Sequence, residues 1–406
     1  MSEEWVETTL GEVLTRVRRR VSVENGVAYP SVGVAKEGKG LIQKAPFVGG
    51  VSKYDVLYKV HHGDVVLRTI TAFESPAAIA GQQHDSTYVS QVFFTYEVSN
   101  LVLPELIGLF FQSPSFWWEM ENRASGTVLR RKTISDLAFC GIPFTIPPLT
   151  TQRRIMAVID SIDKQIAAID AEREALELLR NSLLTEAMNS LDSVKTFGEL
   201  STIRSGPSWS AKNETKVPVP DSLRVVKITN TRPDGTIDMS DETYVKGLPP
   251  STLILDEASL VLIRTNGNRQ RIGNVYVPSG KAIGCAVSAF QFLVDVDDAA
   301  DRDFIYLALK EPTMQNRMSE AASGTTGLGN IAAGWLKKAE IPWSENPAVR
   351  SDFALRFQSI SAQINALITE RESLKEFRSA TLNALLSREI EIPQTFDELL
   401  NEKVAV

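Results

Sequence analysis

The sequence predicts an α+β chain built by duplication: a mixed globular domain followed by one long helix, the pair repeated once, with the two helices running antiparallel as a coiled coil. Three observations predict it. Between Ile155 and Ala187, apolar side chains recur at alternating spacings of four and three (Ile155, Ile159, Ile162, Ile166, Ile169, Leu176, Leu183, Ala187), which is a coiled-coil seam. The pattern returns as Phe353, Phe357, Ile360, Ile364, Leu367, Leu374 and Leu385, and the arginines that interrupt the first seam, Arg173 and Arg180, are matched 198 residues on by Arg371 and Arg378. Landmarks outside the helices repeat in the same order, which makes the pattern a duplication and not a coincidence of composition.

In chain order, residues 1–147 form the first globular domain. Short β-branched and aromatic runs at 55–60, 64–70 and 89–98, broken by Gly and Pro, read as strands, and residues 106–116 read as one buried helix ending near Pro114. Pro147 and Pro148 close this domain, and Thr150 is the expected N-cap of the long helix at 148–192. The second globular domain, 193–345, answers the first. Thr9-Leu10-Gly11-Glu12-Val13 becomes Thr196-Phe197-Gly198-Glu199-Leu200, and Val66-Leu67-Arg68-Thr69 becomes Leu262-Ile263-Arg264-Thr265. Likewise Ala124-Ser125-Gly126-Thr127 becomes Ala322-Ser323-Gly324-Thr325. Asn346-Pro347 then reads as an N-cap with Pro at the first helical position of the second long helix, 346–388, and 389–406 is an acidic tail.

At ~1.5 Å rise per residue each long helix is roughly 50 Å long, and one narrow apolar stripe makes it a strut, not a core element. The seam arginines either reach solvent and neighbouring Glu or fix the register of the pair. Ala168, Ala171 and Ala175 leave little bulk on another face, where Leu178, Leu179 and Met188 add apolar surface. That face is covered either by the globular domains or by helices of a partner protein, and a two-helix rod poorly buried on its own favours the partner.

Composition bounds the function. The chain has 406 residues, 43% apolar and 23% charged, the profile of two or three ordinary globular domains. Its two cysteines, Cys140 and Cys285, and the absence of a signal-peptide pattern point to a reducing cytoplasm, and no apolar run is long enough to cross a membrane. A net charge of −7 argues against a general polyanion binder, but basic residues cluster locally, at Arg16 to Arg20, at Arg130, Arg131 and Lys132, and at Arg264, Arg269 and Arg271.

Catalytic motifs are missing from the sequence. Gly33-Val34-Ala35-Lys36-Glu37-Gly38-Lys39-Gly40 lacks the Ser or Thr of a P-loop and reads as a glycine-rich turn. His61, His62 and His84 show no metal-ligand spacing, and no base-gripping Asn-Pro-Pro-aromatic motif or Ser, His and Asp set is evident. What remains is a recognition signature. The run Arg264-Thr265-Asn266-Gly267-Asn268-Arg269-Gln270-Arg271 follows a strand, and Arg can read guanine while Asn or Gln reads adenine by paired hydrogen bonds. Taken alone it is a solvated polar turn; Arg68 and Thr69 at the equivalent place in the first copy raise it above that. Ser125 and Thr127 with Arg130, Arg131 and Lys132 offer donors suited to phosphate, and Thr325 with Lys337 is the counterpart.

The order of domain, Ile142-Pro143, Ile146-Pro147-Pro148-Leu149, Gln152-Arg153-Arg154-Ile155, long helix, second domain and second long helix resembles the specificity (S) subunit of type I restriction–modification systems over nearly the whole chain. The second copy departs from it, reading Ile341-Pro342-Trp343 and then Asn346-Pro347. The resemblance implies a non-catalytic reader with two target recognition domains, each binding one half of a split, asymmetric site in double-stranded DNA, and helices that set the unread spacer. It further implies two methyltransferase subunits that methylate adenine from S-adenosylmethionine, and restriction subunits using ATP and Mg, so that the cofactors belong to the partners and none to this chain. A coiled-coil scaffold whose ends bind proteins, and an S subunit of another modification architecture, are the alternatives.

Overall fold

The structure, a computed structural model, describes residues 4–128, 132–232, 235–322, 328–393 and 395–396. It divides into two compact units, Met1–Ile169 with Glu370–Val406, and Asp170–Thr369. The long helices, Leu149–Asn189 and Pro347–Leu386, each contribute residues to both. Among the described residues no helix is long and apolar enough to cross a membrane.

In the first unit, strand Val6–Thr9 pairs antiparallel with Pro143–Ile146, and the helical turn Leu10–Val13 carries the chain into a four-stranded sheet. Its order is Leu14–Val17, Phe93–Val98, Val65–Arg68, Ala77–Ile79. The strand Val65–Arg68 is apolar on both faces for a reason. Val65 and Leu67 enter the main core beneath helices Pro104–Phe110 and Pro114–Arg123, whereas Val66, pointing the other way, enters a smaller core with Val32, Val60 and Val89. That smaller core lies in a five-stranded sheet ordered Arg20–Ser22, Val56–Val60, Thr87–Val89, Ala28–Val34, Leu41–Val48. The glycine-rich segment at 33–40 is the turn of its last hairpin. Gly38 has φ +68° there and presses on the Phe111 backbone, so that a Cβ would stand 2.6 Å from the Phe111 carbonyl carbon.

The second unit repeats the main sheet and, of the smaller one, its parallel strand pair with one antiparallel neighbour. Ser193–Thr196 pairs antiparallel with Glu340–Trp343, the turn Phe197–Leu200 follows, and the sheet runs Ser201–Ser205, Gln291–Val296, Ser259–Ile263, Val275–Tyr276. Ser259–Ile263 is again divided between two cores, Leu260 and Leu262 in one, Val261 and Ile263 in the other. Helices Arg302–Lys310 and Pro312–Ala321 take the places of the first pair. The smaller sheet has four strands, ordered Glu214–Thr215, Thr243–Lys246, Ser222–Val226, Ala286–Val287.

Four local expectations are corrected. The helix expected over 106–116 is two helices, because Pro114 starts the second at its N1 position, with the Ser113 hydroxyl accepting from Phe116 N at 3.3 Å. The run at 89–98 is likewise two strands in different sheets, parted by a turn in which Phe93 N donates to Ser90 O. Thr150 lies inside the first long helix, which begins at Leu149. In that helix Leu184 (1% exposed) and Met188 occupy the core, and Leu183 (38% exposed) does not. A straight helix drifts against a strict seven-residue repeat, so the position four residues after Arg180 faces inward.

Each unit anchors the long helices in its own way. In the first, Ile155, Ile159 and Ile162 share the main core with Leu382 and Leu385. Asp163 accepts from Arg378 Nη2 at 2.9 Å while Ile155 and Leu385 line one groove, so the two helices run antiparallel within this unit. Of the seam arginines, Arg173 reaches Glu177 and Arg371 reaches Glu372 in their own helices, and Arg378 crosses to the other. Fully buried Gln152 donates to Leu101 O and Pro147 O and accepts from Leu103 N. In the second unit the equivalent position is Arg350, which grips Asp301 through Nε (2.6 Å) and Nη2 (2.9 Å), donates to Ser344 O, and lies over the Trp343 ring. There Leu184 and Met188 share a core with Phe353, Ala354 and Phe357. Ala168, Ala171 and Ala175 are exposed, as are Leu178 (69%) and Leu179.

Candidate nucleic-acid interface

In the second unit the buried strand Ser259–Ile263 ends at Arg264, whose backbone N donates to Phe290 O at 2.9 Å. The next two residues, Thr265–Asn266, pair antiparallel with Gly329–Asn330, and Ile331 N donates to Arg264 O. Side chains tighten this zipper. Arg264 Nε and Thr265 Oγ1 both donate to Asn330 Oδ1, at 2.9 and 2.8 Å, and Arg264 Nη1 donates to Ser205 Oγ while its guanidinium lies over Phe292. Beyond it the loop is tied to itself. Asn266 Oδ1 accepts from Asn268 N, Asn268 Oδ1 accepts from Gln270 N to cap the 3-10 turn Arg269–Arg271, and Arg271 folds back to donate to Thr231 O and Oγ1.

The eight-residue signature therefore separates into two roles. Arg264 and Arg271 hold the loop, while Asn268, Arg269 and Gln270 are exposed on it. Asn266 and Asn268 have their carbonyl oxygens engaged by backbone N–H groups, so their amides remain donors. Gln270 keeps both an acceptor and a donor, the pair that a bidentate contact to adenine requires, with no hydrogen bond to its side chain among the described residues.

The first unit is organised in the same way. Strand Val65–Arg68 ends in Arg68, ion-paired with Glu74, and Thr69 is buried with both its N and its hydroxyl donating to Val92 O. Ile134 N donates to Thr69 O, Ala72 N donates to Lys132 O, and Ser125 and Thr133 bridge to each other. Residues 68–72 thus come together at one edge with 125 and 132–134, far away in sequence, just as 264–266 and 329–331 do in the second unit. Ser125 and Thr127 are exposed there and Lys132 is half-buried. Arg130, Arg131 and Thr325 lie outside the described residues. Lys337 does not join the loop; it closes the helix Ala333–Lys337, with its backbone against Gly198.

Near this edge the Arg16 guanidinium sits 3.5 Å from the Phe94 ring centre and pairs with Asp136, which also accepts from the Tyr96 hydroxyl. Phe94 and Phe292 hold equivalent places in the central strands, so each copy lays an arginine on the same ring, taken from a different strand. Burial, then Asp136, pushes the Tyr96 hydroxyl up and the Cys140 thiol up to about 11, which keeps both neutral. The sequence alone does not single out Asn330, Ser205, Thr231 or Asp136. Only the last carries any local signal, as an acidic residue in the first turn of the helix Asp136–Cys140.

Residues 2–178 match the family model described as the type I restriction modification DNA specificity domain. No curated protein matches this chain. Among solved structures, a chain from work on complex assembly and conformational transition of the type I R-M system is similar at 17% identity, covering 94% of this chain and 97% of that one, with a TM-score of 0.61. The S subunit of the type I restriction–modification system from M. genitalium is similar at 14% identity, covering 96% and 97%, with a TM-score of 0.48. The HsdS subunit from Thermoanaerobacter tengcongensis is similar at 15% identity, covering 94% and 96%, with a TM-score of 0.43. Beyond the matched residues, the strand order, helix pair and zipped loop of the first unit recur in the second.

Proposed function

We propose that this chain is the non-catalytic DNA-reading subunit of a type I restriction–modification complex, working in the cytoplasm. Each copy of the specificity domain reads one half of a bipartite, asymmetric site in double-stranded DNA, and the long helices form an antiparallel pair that sets the unread spacer. The observation that carries this reading is the duplication itself. One sheet order and one zipped loop appear twice with different loop residues, which is what two unlike half-sites require. Two methyltransferase subunits dock on the helices, on the exposed surface of Ala168, Ala171, Ala175, Leu178 and Leu179, and supply adenine methylation from S-adenosylmethionine. Restriction subunits supply the chemistry that uses ATP and Mg.

Mapping methyladenine in a genome that expresses this chain with its neighbouring methyltransferase is the test. A split motif with a fixed gap is expected, and a contiguous motif would overturn the reading. Inserting seven residues after Ile169 and seven after Thr369 keeps the seam in phase and adds ~10 Å, or about three base pairs, to the gap. An unchanged gap in the methylated motif would rule out the helices as its ruler. Affinity of the assembled complex for its site is expected to fall steeply between 50 and 200 mM salt, by orders of magnitude if several phosphates are neutralised. A protein-binding scaffold would show no such titration.

A further inference from the structure

We propose that the second unit, and not the first, takes one unstacked nucleobase of the bound duplex into the cleft beside its Asn-rich loop; this rests on the reading of the chain as a DNA reader. The cleft has a volume of about 650 Å³, within the range of sites that enclose a small flat ligand. Two aromatic rings line it, Trp209 and Phe290, together with Thr265 and Asn266 from the zipped loop.

Both rings are held in place by the chain around them. Trp209 Nε1 donates to Glu214 Oε1 at 2.8 Å, and Glu214 Oε2 accepts from Lys227 Nζ at 2.8 Å. Lys227, then Trp209, holds the Glu214 carboxyl below the usual carboxylate range, so the tether stays charged at neutral pH. The loop before Trp209 is pinned at Gly206, where a Cβ would stand 2.1 Å from Val287 O. Phe290 is fixed through its carbonyl, which accepts from both Arg264 N and Thr265 N, yet its side chain is 51% exposed.

This chemistry fits a base better than a phosphate or a peptide. Lys227 and Glu214 neutralise each other, so the cleft offers no excess positive charge to a phosphate. A nucleobase presents apolar faces to the rings and a polar edge to the Asn266 amide, whose Oδ1 is engaged by Asn268 N while its N–H groups remain donors. The first copy has Val92 where the second has Phe290, and the stretch that brings Trp209 is longer in the second copy, since Leu14 corresponds to Ser201 but Phe93 to Gln291.

The test uses the complex assembled with its methyltransferase and duplexes carrying 2-aminopurine at successive positions of the mapped site. Fluorescence is expected to rise at one position in the half-site read by the second unit, other than the methylated adenine, which methyltransferases themselves extrude. Phe290→Ala removes that rise and weakens binding roughly tenfold, while Phe290→Trp restores both. Duplex that binds but stays dark at every such position overturns the proposal and leaves DNA reading intact, and this is also what a peptide-binding cleft would give. A rise that survives Phe290→Ala and Trp209→Ala overturns it too. Failure of the unaltered complex to bind the mapped duplex overturns the reading on which it rests.

Discussion

Alanine at Asn268, Arg269 and Gln270 together is expected to erase or relax one half of the methylated motif and to leave the other half as it was. The three side chains are exposed, and although Asn268 caps the short turn Arg269–Arg271, the loop is framed by Arg264 and Arg271, so their loss removes the proposed base contacts and leaves that frame in place. A bidentate contact is worth about 1–3 kcal/mol of discrimination, so losing even one costs roughly ten-fold or more at the base it reads. Arg264→Ala is expected to behave differently. It removes the donor that ties the strand end to Asn330 and Ser205, so the melting temperature falls along with recognition. Methylation mapping of both variants, beside their melting curves, checks the distinction; a triple variant that methylates the original motif unchanged would remove this loop from recognition.

The largest loss of stability is expected from Arg350→Ala. The guanidinium and the Asp301 carboxylate are both buried, and deleting one partner leaves the other charge uncompensated, at a cost of about 3–5 kcal/mol. For a unit of this size that lowers the melting temperature by on the order of 10 °C. Replacing both partners, as Arg350→Met with Asp301→Leu, is expected to recover most of the loss, because no charge is then left buried. Differential scanning calorimetry of the two variants decides it: equal losses would mean that the pair contributes through packing against Trp343 and not through its charges.

Arg350 also shows how far local reading reaches. Its counterpart by position is Gln152, and the two perform one task, tying the start of a long helix to the loop ahead of the following helix, with unrelated chemistry. No pairwise comparison of residue types connects them. The strand at 65–68 was legible as an apolar run, and its division between two cores follows from side-chain alternation. The break at Pro114 was legible too, since a proline preceded by a serine starts helices as readily as it ends them.

What is repeated or periodic along the chain can be read without coordinates: the duplication, the two long helices and the polar loops that follow the central strands. These depend on spacing between near neighbours, and spacing survives in one dimension. Which arginines face outward cannot be read that way. Arg264 is claimed by Asn330, 66 positions away, and Arg271 by Thr231, 40 positions away, so a run that looks uniformly polar becomes a frame with three exposed side chains on it. Hydrogen bonds closed by folding across such distances leave no periodic trace, and they decide which of these residues can face DNA.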